Sequence, residues 1–206
     1  MSASKGNIRV NLEGRGQVTL RPSDHVATGG EGAIYKASGT VVKIYSDPAK
    51  MEKEGIAEKI RQLTKLRHDF IVAPQGLALT PNNKPIGYYM PFVEGEPLSR
   101  VFTNDFRKRE GFTDNQSSTL VDRMRDTVNF AHDNGAVLAD ANEMNWLVQL
   151  SKDGPVPQAI DVDSWSIGKW PPTVIMPSIR DWHAKQINQL TDWFAWGIVT
   201  FQVYAG

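Results

Sequence analysis

The chain has 206 residues, 40% of them hydrophobic and 22% charged, which is ordinary for a globular protein of one bilobal unit or two small domains. The formal net charge is zero and there is no cysteine, which argues against nucleic-acid binding and excludes disulfides, zinc–thiolate sites and thiol nucleophiles. No apolar run is long enough to cross a bilayer or resembles a signal peptide, so we expect no membrane partner and a cytoplasmic location.

The first half of the chain is predicted to be rich in strands. Short apolar or alternating runs bounded by turn residues predict strands at 8–12, 17–20, 34–37, 40–45, 70–74 and 87–93. Asp47-Pro48 is expected to end the fourth of these strands and to open one helix over 49–66, in which Ile60 and Leu63 recur at helical spacing.

The second half is predicted to be mainly helical. Helices are expected at 117–134 and 190–204, strands at 146–150 and 158–162, and a long loop at 167–187. A strand-rich half followed by a helix-rich half indicates an α+β protein with a boundary near 93–97.

A glycine cluster lies between two predicted strands, at Thr28-Gly29-Gly30-Glu31-Gly32. Glycines let backbone N–H groups approach phosphate oxygens closely, because no side chain intervenes. The cluster lacks the Gly-Lys-Ser/Thr ending and the following helix of a strand-to-helix phosphate loop. A plain hairpin turn would also explain it, so the cluster alone leaves both interpretations open.

Lys43 lies inside an apolar strand and shares one face of it with Val41 and Tyr45. Either this face is solvated, with Lys43 as a solubilising edge residue, or the lysine points into a cleft. A buried lysine needs an anionic partner, and a phosphate together with a carboxylate on the next helix would serve.

Two acidic segments follow much later in the chain. Asp140-Ala141-Asn142-Glu143-Met144-Asn145 comes after a helix that ends in His132-x-x-Gly135, and Ile160-Asp161-Val162-Asp163 comes after a predicted strand. With the glycine cluster and Lys43, in this order and at these separations, they resemble a divergent, bacterial-type branch of the protein-kinase-like superfamily over residues 25–206. Each segment alone could be an ordinary turn.

This resemblance implies a bilobal fold that binds Mg²⁺ and ATP between two lobes. Residues 1–93 would form an N-lobe of antiparallel sheet plus one helix, and residues 94–206 an incomplete helical C-lobe with the catalytic and metal-binding loops. Asp140 would accept the proton of the attacking hydroxyl, with Lys43 as the second catalytic residue.

The resemblance also assigns the ligand-binding residues. Asn145 and Asp161 would hold Mg²⁺, with Asp163 as the alternative carboxylate. The residues expected to bind ATP are Gly29, Gly30, Gly32, Ile34, Lys43, Glu58, Met90, Phe92 and Val93. The last three belong to a segment that resembles the adenine-binding segment of the family. Glu58 is expected to pair with Lys43, with Glu54 as the alternative, and Asp192 is expected to brace the loop around Asp140.

Several positions depart from the family pattern. Leu138-Ala139 replaces the usual His-Arg, Asn142 replaces a lysine, and the chain ends directly after its last helix. Three interpretations follow: a phosphotransferase acting on protein Ser/Thr or a small-molecule hydroxyl, a nucleotide-binding pseudokinase with a regulatory role, or an α+β domain without a nucleotide site. The apolar residues Val199, Phe201, Val203 and Tyr204 of the last helix would need a covering, which suggests self-association or a partner there.

Overall fold

The structure is a computed structural model that describes residues 6–172 and 175–206. It confirms the predicted α+β class. Within the described residues there are six α-helices, α1 Pro48–Lys53, α2 Ile56–Leu63, α3 Leu98–Val101, α4 Asn104–Glu110, α5 Asp114–Asp133 and α6 Gln189–Ala205. The strands are β1 Ile8–Leu12, β2 Gly16–Leu20, β3 His25–Thr28, β4 Gly32–Ala37, β5 Thr40–Tyr45, β6 Gly76–Leu79, β7 Pro85–Pro91, β8 Glu96–Pro97, β9 Ala136–Val137, β10 Trp146–Ser151, β11 Gly154–Ala159 and β12 Ser166–Ile167.

The chain divides into two compact units. The first contains the residues up to 65 together with 73–92, and the second contains 66–72 together with 93–206. The backbone leaves the first unit for the last time at Phe92. None of the helices in 6–172 or 175–206 has the length and apolarity needed to cross a bilayer.

The first unit is built on a seven-stranded antiparallel sheet in the order β2-β1-β6-β7-β5-β4-β3. The tight hairpin β4–β5 turns at Ser38 and Gly39, which both have positive φ, as a two-residue hairpin turn requires. One face of the sheet carries an apolar core that includes Val10, Tyr35 and Val42. The alternation of β5 therefore places Val42 in this core and Lys43 on the opposite face.

The single helix predicted over 49–66 is wrong, because the segment forms two helices. The carboxylate of Asp47 accepts a hydrogen bond from the N–H of Lys50, and Pro48 occupies the first turn, so α1 begins where expected. Gly55 then adopts a left-handed conformation with φ of 65° and breaks the helix. Helix α2 restarts after it and buries Lys59, Ile60 and Leu63.

The strand predicted at 70–74 is also wrong. Only Ile71 forms a bridge there, with Ala159, because the chain makes two backbone hydrogen bonds to that residue and then turns away. The strand of this region is β6, which lies between β1 and β7 in the sheet. The strand predicted at 158–162 ends at Ala159, where its pairing with Trp146 of β10 stops.

The second unit is organised around α5, which packs against β11 and α6. Thr113 caps α5, since its hydroxyl accepts from the N–H of Gln116 and the Gln116 side chain accepts from the N–H of Thr113. Arg107 joins helices of this unit by donating to the carbonyl of Val203 and to the hydroxyl of Ser117. This packing fixes α6 beside the loop that follows α5.

Candidate functional site

Lys43 is held in the first unit with only 5% of its surface exposed. Its cross-strand neighbours are Ile34 on β4 and Tyr88 on β7, which share its face of the sheet. The ammonium nitrogen lies 5.6 Å from the centre of the Tyr45 ring and 5.9 Å from that of Tyr88. A cation with aromatic neighbours and little access to water is a strong anchor for an anionic group.

The glycine cluster forms the tip of the β3–β4 hairpin. The N–H of Gly29 donates to the carbonyl of Gly32 across 2.9 Å and closes the tip, and the N–H of Ser46 donates to the carbonyl of Glu31 across 2.8 Å. A side chain at Gly32 would overlap the carbonyl oxygen of Ile44, so this position needs glycine. Around Gly29 and Gly30 the space is open, which fits both a plain hairpin turn and a phosphate-binding loop.

One carboxylate that approaches Lys43 comes from the glycine cluster. Oε2 of Glu31 lies 3.4 Å from Nζ of Lys43. Glu58 instead lies 3.9 Å from Arg61, with 59% of its side chain exposed. The predicted Lys43–Glu58 pair is therefore wrong for this structure, because α2 restarts after Gly55 and its first turn points Glu58 outward.

The predicted adenine-binding segment forms the end of β7 and the residues after it. Met90, Phe92 and Val93 are each partly buried. The carbonyl of Met90 accepts a hydrogen bond of 2.6 Å from the buried hydroxyl of Thr40, and the ammonium of Lys36 lies 3.4 Å from the centre of the Phe92 ring. The adenine contacts themselves stay a prediction.

In the second unit, one buried carboxylate shapes the loop that contains Asp140. Asp192 on α6 is 0% exposed. Its two oxygens accept hydrogen bonds of 2.7 Å from the backbone N–H groups of Leu138 and Ala139, and Oδ2 also lies 2.9 Å from Nε2 of His132. The predicted bracing role of Asp192 is confirmed.

The brace holds Ala139 at φ of 62°, an unfavourable conformation for a residue with a Cβ. The backbone turn that results presents Asp140 directly after it. Oδ1 of Asp140 accepts a hydrogen bond of 2.7 Å from the N–H of Met176. Nδ2 of Asn145 donates to the carbonyl of Asp140 across 2.7 Å and lies 3.4 Å from its Oδ2. The structure thus brings Asp140 and Asn145 together.

Asn142, at the position where the family pattern has a lysine, has a structural role in this loop. The residue is 2% exposed. Its Oδ1 accepts from the N–H of Met144 at 2.8 Å, and its Nδ2 lies 3.4 Å from the carbonyl of Asp140. Both polar ends of the side chain are therefore used to fold the loop, and this position supplies no positive charge.

Asp161 directly precedes a short 3₁₀ turn over Val162–Ser164, and Asp163 lies within that turn. Asp161 has a φ of 57°, and its carbonyl accepts from both the N–H and the hydroxyl of Ser164. Asp163 is buried. Among the described residues there is no group of three or more His, Cys, Asp or Glu that could hold a metal ion, so a metal here would need other oxygen ligands. The choice of Asp161 as the metal ligand, with Asp163 as the alternative, stays a prediction.

A scan of protein-family models matches no family, and a search of curated proteins finds no significant relative.

Two features of the first unit were missed by the sequence analysis. The approach of Glu31 to Lys43 depends on the hairpin register that pairs Gly32 with Tyr45, which the sequence alone does not specify. The burial of Lys59 had a visible signal, since it lies three residues after Ile56 and four before Leu63, on the apolar side of the helix.

Proposed function

We propose that this protein is an ATP-dependent phosphotransferase of the protein-kinase-like fold. It would transfer the γ-phosphate of Mg·ATP to a hydroxyl, with protein Ser/Thr as the favoured acceptor and a small-molecule hydroxyl as the other. The observation that carries the proposal is the loop at Asp140, which Asp192 holds through two backbone hydrogen bonds. Phosphoryl transfer needs mainly positioning and charge neutralisation, and a braced carboxylate next to an amide supplies positioning.

The first unit would bind the nucleotide. Lys43 would neutralise phosphate charge, since its ammonium is already buried on the sheet face, and the open space at Gly29 and Gly30 would admit phosphate oxygens. Ile34 lies directly across from Lys43 and would contact the base or the ribose, as would the Met90–Val93 segment.

The second unit would supply the acceptor and metal groups. Asp140 would orient the attacking hydroxyl and take its proton. Nδ2 of Asn145 donates to Asp140, so its amide oxygen would be the ligand atom, together with the carboxylate of Asp161. These oxygen donors suit Mg²⁺, which would neutralise charge on the phosphates when bound.

The first prediction concerns nucleotide binding. In a calorimetric titration, ATP should bind with Mg²⁺ at least tenfold (about 1.4 kcal/mol) more tightly than without it. Asp161→Ala should lose this metal dependence because it removes a metal ligand. Asp153→Ala, in the exposed turn after β10, is the matched control and should bind like the wild type. Metal-independent or undetectable ATP binding by the wild type would contradict the proposal.

The second prediction concerns transfer. Asp140→Asn should lower the rate of phosphate transfer to a Ser/Thr peptide mixture or a hydroxyl panel by roughly a hundredfold or more, because the base is lost. ATP binding should be nearly unchanged, since asparagine keeps the shape and can still accept from the N–H of Met176. The assay follows labelled phosphate, with the titration above as the control for folding. Equal transfer by the mutant would remove Asp140 from the catalytic role.

The second candidate function is a pseudokinase, which would bind nucleotide and act through a partner. The observation that favours it is Asn142, whose side chain is engaged within the loop and brings no charge to a transferring phosphate. Metal-dependent ATP binding by the wild type with no transfer to any hydroxyl would select this candidate over the first.

A further inference from the structure

We propose that Glu31 is a built-in competitor for the nucleotide: its carboxylate occupies Lys43 and must be displaced before a triphosphate can bind there. This inference rests on the proposed function, since it assumes that phosphate binds at Lys43. The glycine cluster would then have a second role, which is to weaken the binding of phosphate ligands at Lys43 unless their charge is high enough to displace the carboxylate.

The contact itself is asymmetric. The side chain of Lys43 is 6% exposed and that of Glu31 is 37% exposed, at a distance of 3.4 Å between Nζ and Oε2. The lysine is fixed within the sheet between Ile34 and Tyr88, whereas the carboxylate comes from a hairpin tip. A polyanion that reaches Lys43 can therefore move the glutamate much more easily than the lysine.

The backbone at the tip does not need to change for this displacement. Glu31 is held through its carbonyl, which accepts from the N–H of Ser46, and the neighbouring Gly32 is fixed by close approach to Ile44. Rotation of the Glu31 side chain is enough to withdraw the carboxylate. The loop would keep its shape, so the competitor acts by charge alone.

The charge of each ligand sets the direction in which removal of Glu31 should change its affinity. A carboxylate near Lys43 offsets part of the positive charge and repels phosphate oxygens, so its removal should favour the most highly charged ligands. The affinity for uncharged adenosine should not change. If Glu31 instead held Lys43 in a productive position, its removal would weaken ATP binding, which is the opposite result.

The experiment is a titration of the full chain with ATP, ADP and adenosine in the presence of Mg²⁺. Glu31→Gln should bind ATP about threefold to tenfold more tightly than the wild type, with a smaller gain for ADP and none for adenosine. Glu52→Gln removes the same charge from an exposed site on α1 and should show no gain. Adding Lys43→Met to Glu31→Gln should abolish the gain, because the competitor and its target act as a pair.

A second readout needs no nucleotide. The rate at which an amine-reactive reagent labels Lys43, followed by mass spectrometry, should rise about twofold to fivefold in Glu31→Gln, because a lost carboxylate favours the neutral amine. If wild type and variant bind ATP equally, or the variant binds more weakly, the competitor role is overturned and the proposed function stands. If neither binds ATP and labelling still rises, the contact is real, and the proposed function fails together with the competitor role.

Discussion

Asp192 lies outside the loop that contains Asp140 but holds its backbone in place. Its carboxylate accepts two backbone hydrogen bonds and contacts His132 while being fully buried. Burying a carboxylate is costly, and hydrogen bonds to the charged group recover that cost. The unfavourable conformation of Ala139 persists because these bonds hold it in place.

The third prediction therefore concerns stability at a single residue. Asp192→Asn should lower the free energy of unfolding by about 2–4 kcal/mol. One carboxylate oxygen would become an NH₂ group, which cannot accept the hydrogen bond from the backbone N–H that it faces. Urea denaturation measures this change. Asp133→Asn, an exposed residue on α5, removes the same charge and serves as the control. A loss at position 192 below about 0.5 kcal/mol would mean that the brace is not needed to hold the loop.

Single residues also show where sequence reasoning stops. The proximity of Asp140 and Asn145 could be expected, because five residues of one loop separate them. The contact between Glu31 and Lys43 could not, since it depends on how a hairpin tip folds over the neighbouring strand. Asn142 was recognised as a departure from the pattern, but only the structure shows that its side chain folds the loop.

Among the secondary-structure elements, the β4–β5 hairpin best shows how backbone packing sets residue choice. Gly32 pairs with Tyr45 in the register and comes so close to Ile44 that no side chain fits. Gly30, two residues earlier in the same cluster, has open space around it. Packing therefore requires glycine at position 32 but not at position 30.

The fourth prediction tests this difference between Gly32 and Gly30. Gly32→Ala should lower the free energy of unfolding by about 1–3 kcal/mol, because β4 must shift away from β5 to admit the methyl group. Gly30→Ala should change it by no more than about 0.5 kcal/mol, since it meets no neighbouring atom. Urea unfolding midpoints for the two variants give the comparison. Equal losses would show that the tip does not pack as described.

Helices and strands were predictable where the signal was local. The cap at Asp47, the turn at Ser38 and the long amphipathic α5 all follow from nearby residues. The break at Gly55 was missed because the apolar spacing continues across it, although glycine tolerates the left-handed conformation that ends α1. The strand predicted at 70–74 failed because β propensity does not provide a partner strand.

At the scale of the whole molecule, composition and element order were enough to predict the α+β class. The two units are interleaved, because residues 66–72 belong to the second unit although they lie between two segments of the first. No local pattern marks such an exchange, since it depends on backbone hydrogen bonds between Ile71, Val72 and the distant β11.

The surface of α6 bears on a prediction that stays open. Apolar side chains at four positions along this helix are exposed, namely Leu190, Phe194, Phe201 and Tyr204. Successive members of this set are four, seven and three residues apart, which places all of them along one stripe of the helix. Of the four residues expected to need a covering, Val199 and Val203 are buried and Phe201 and Tyr204 are exposed. Self-association or a partner at this helix stays a prediction.

The hydrogen bonds of Asp192 restrict substitution much more at position 192 than at positions 138 and 139. Its partners at 138 and 139 are backbone N–H groups, so side chains at those two positions can change, proline excepted, without loss of either hydrogen bond. Position 192 has no such latitude, because the acceptor is its side chain. A homologue could therefore keep Asp140 and Asn145 but lack the acid on the last helix. It would have the same residues in the loop without the loop conformation that Asp192 holds.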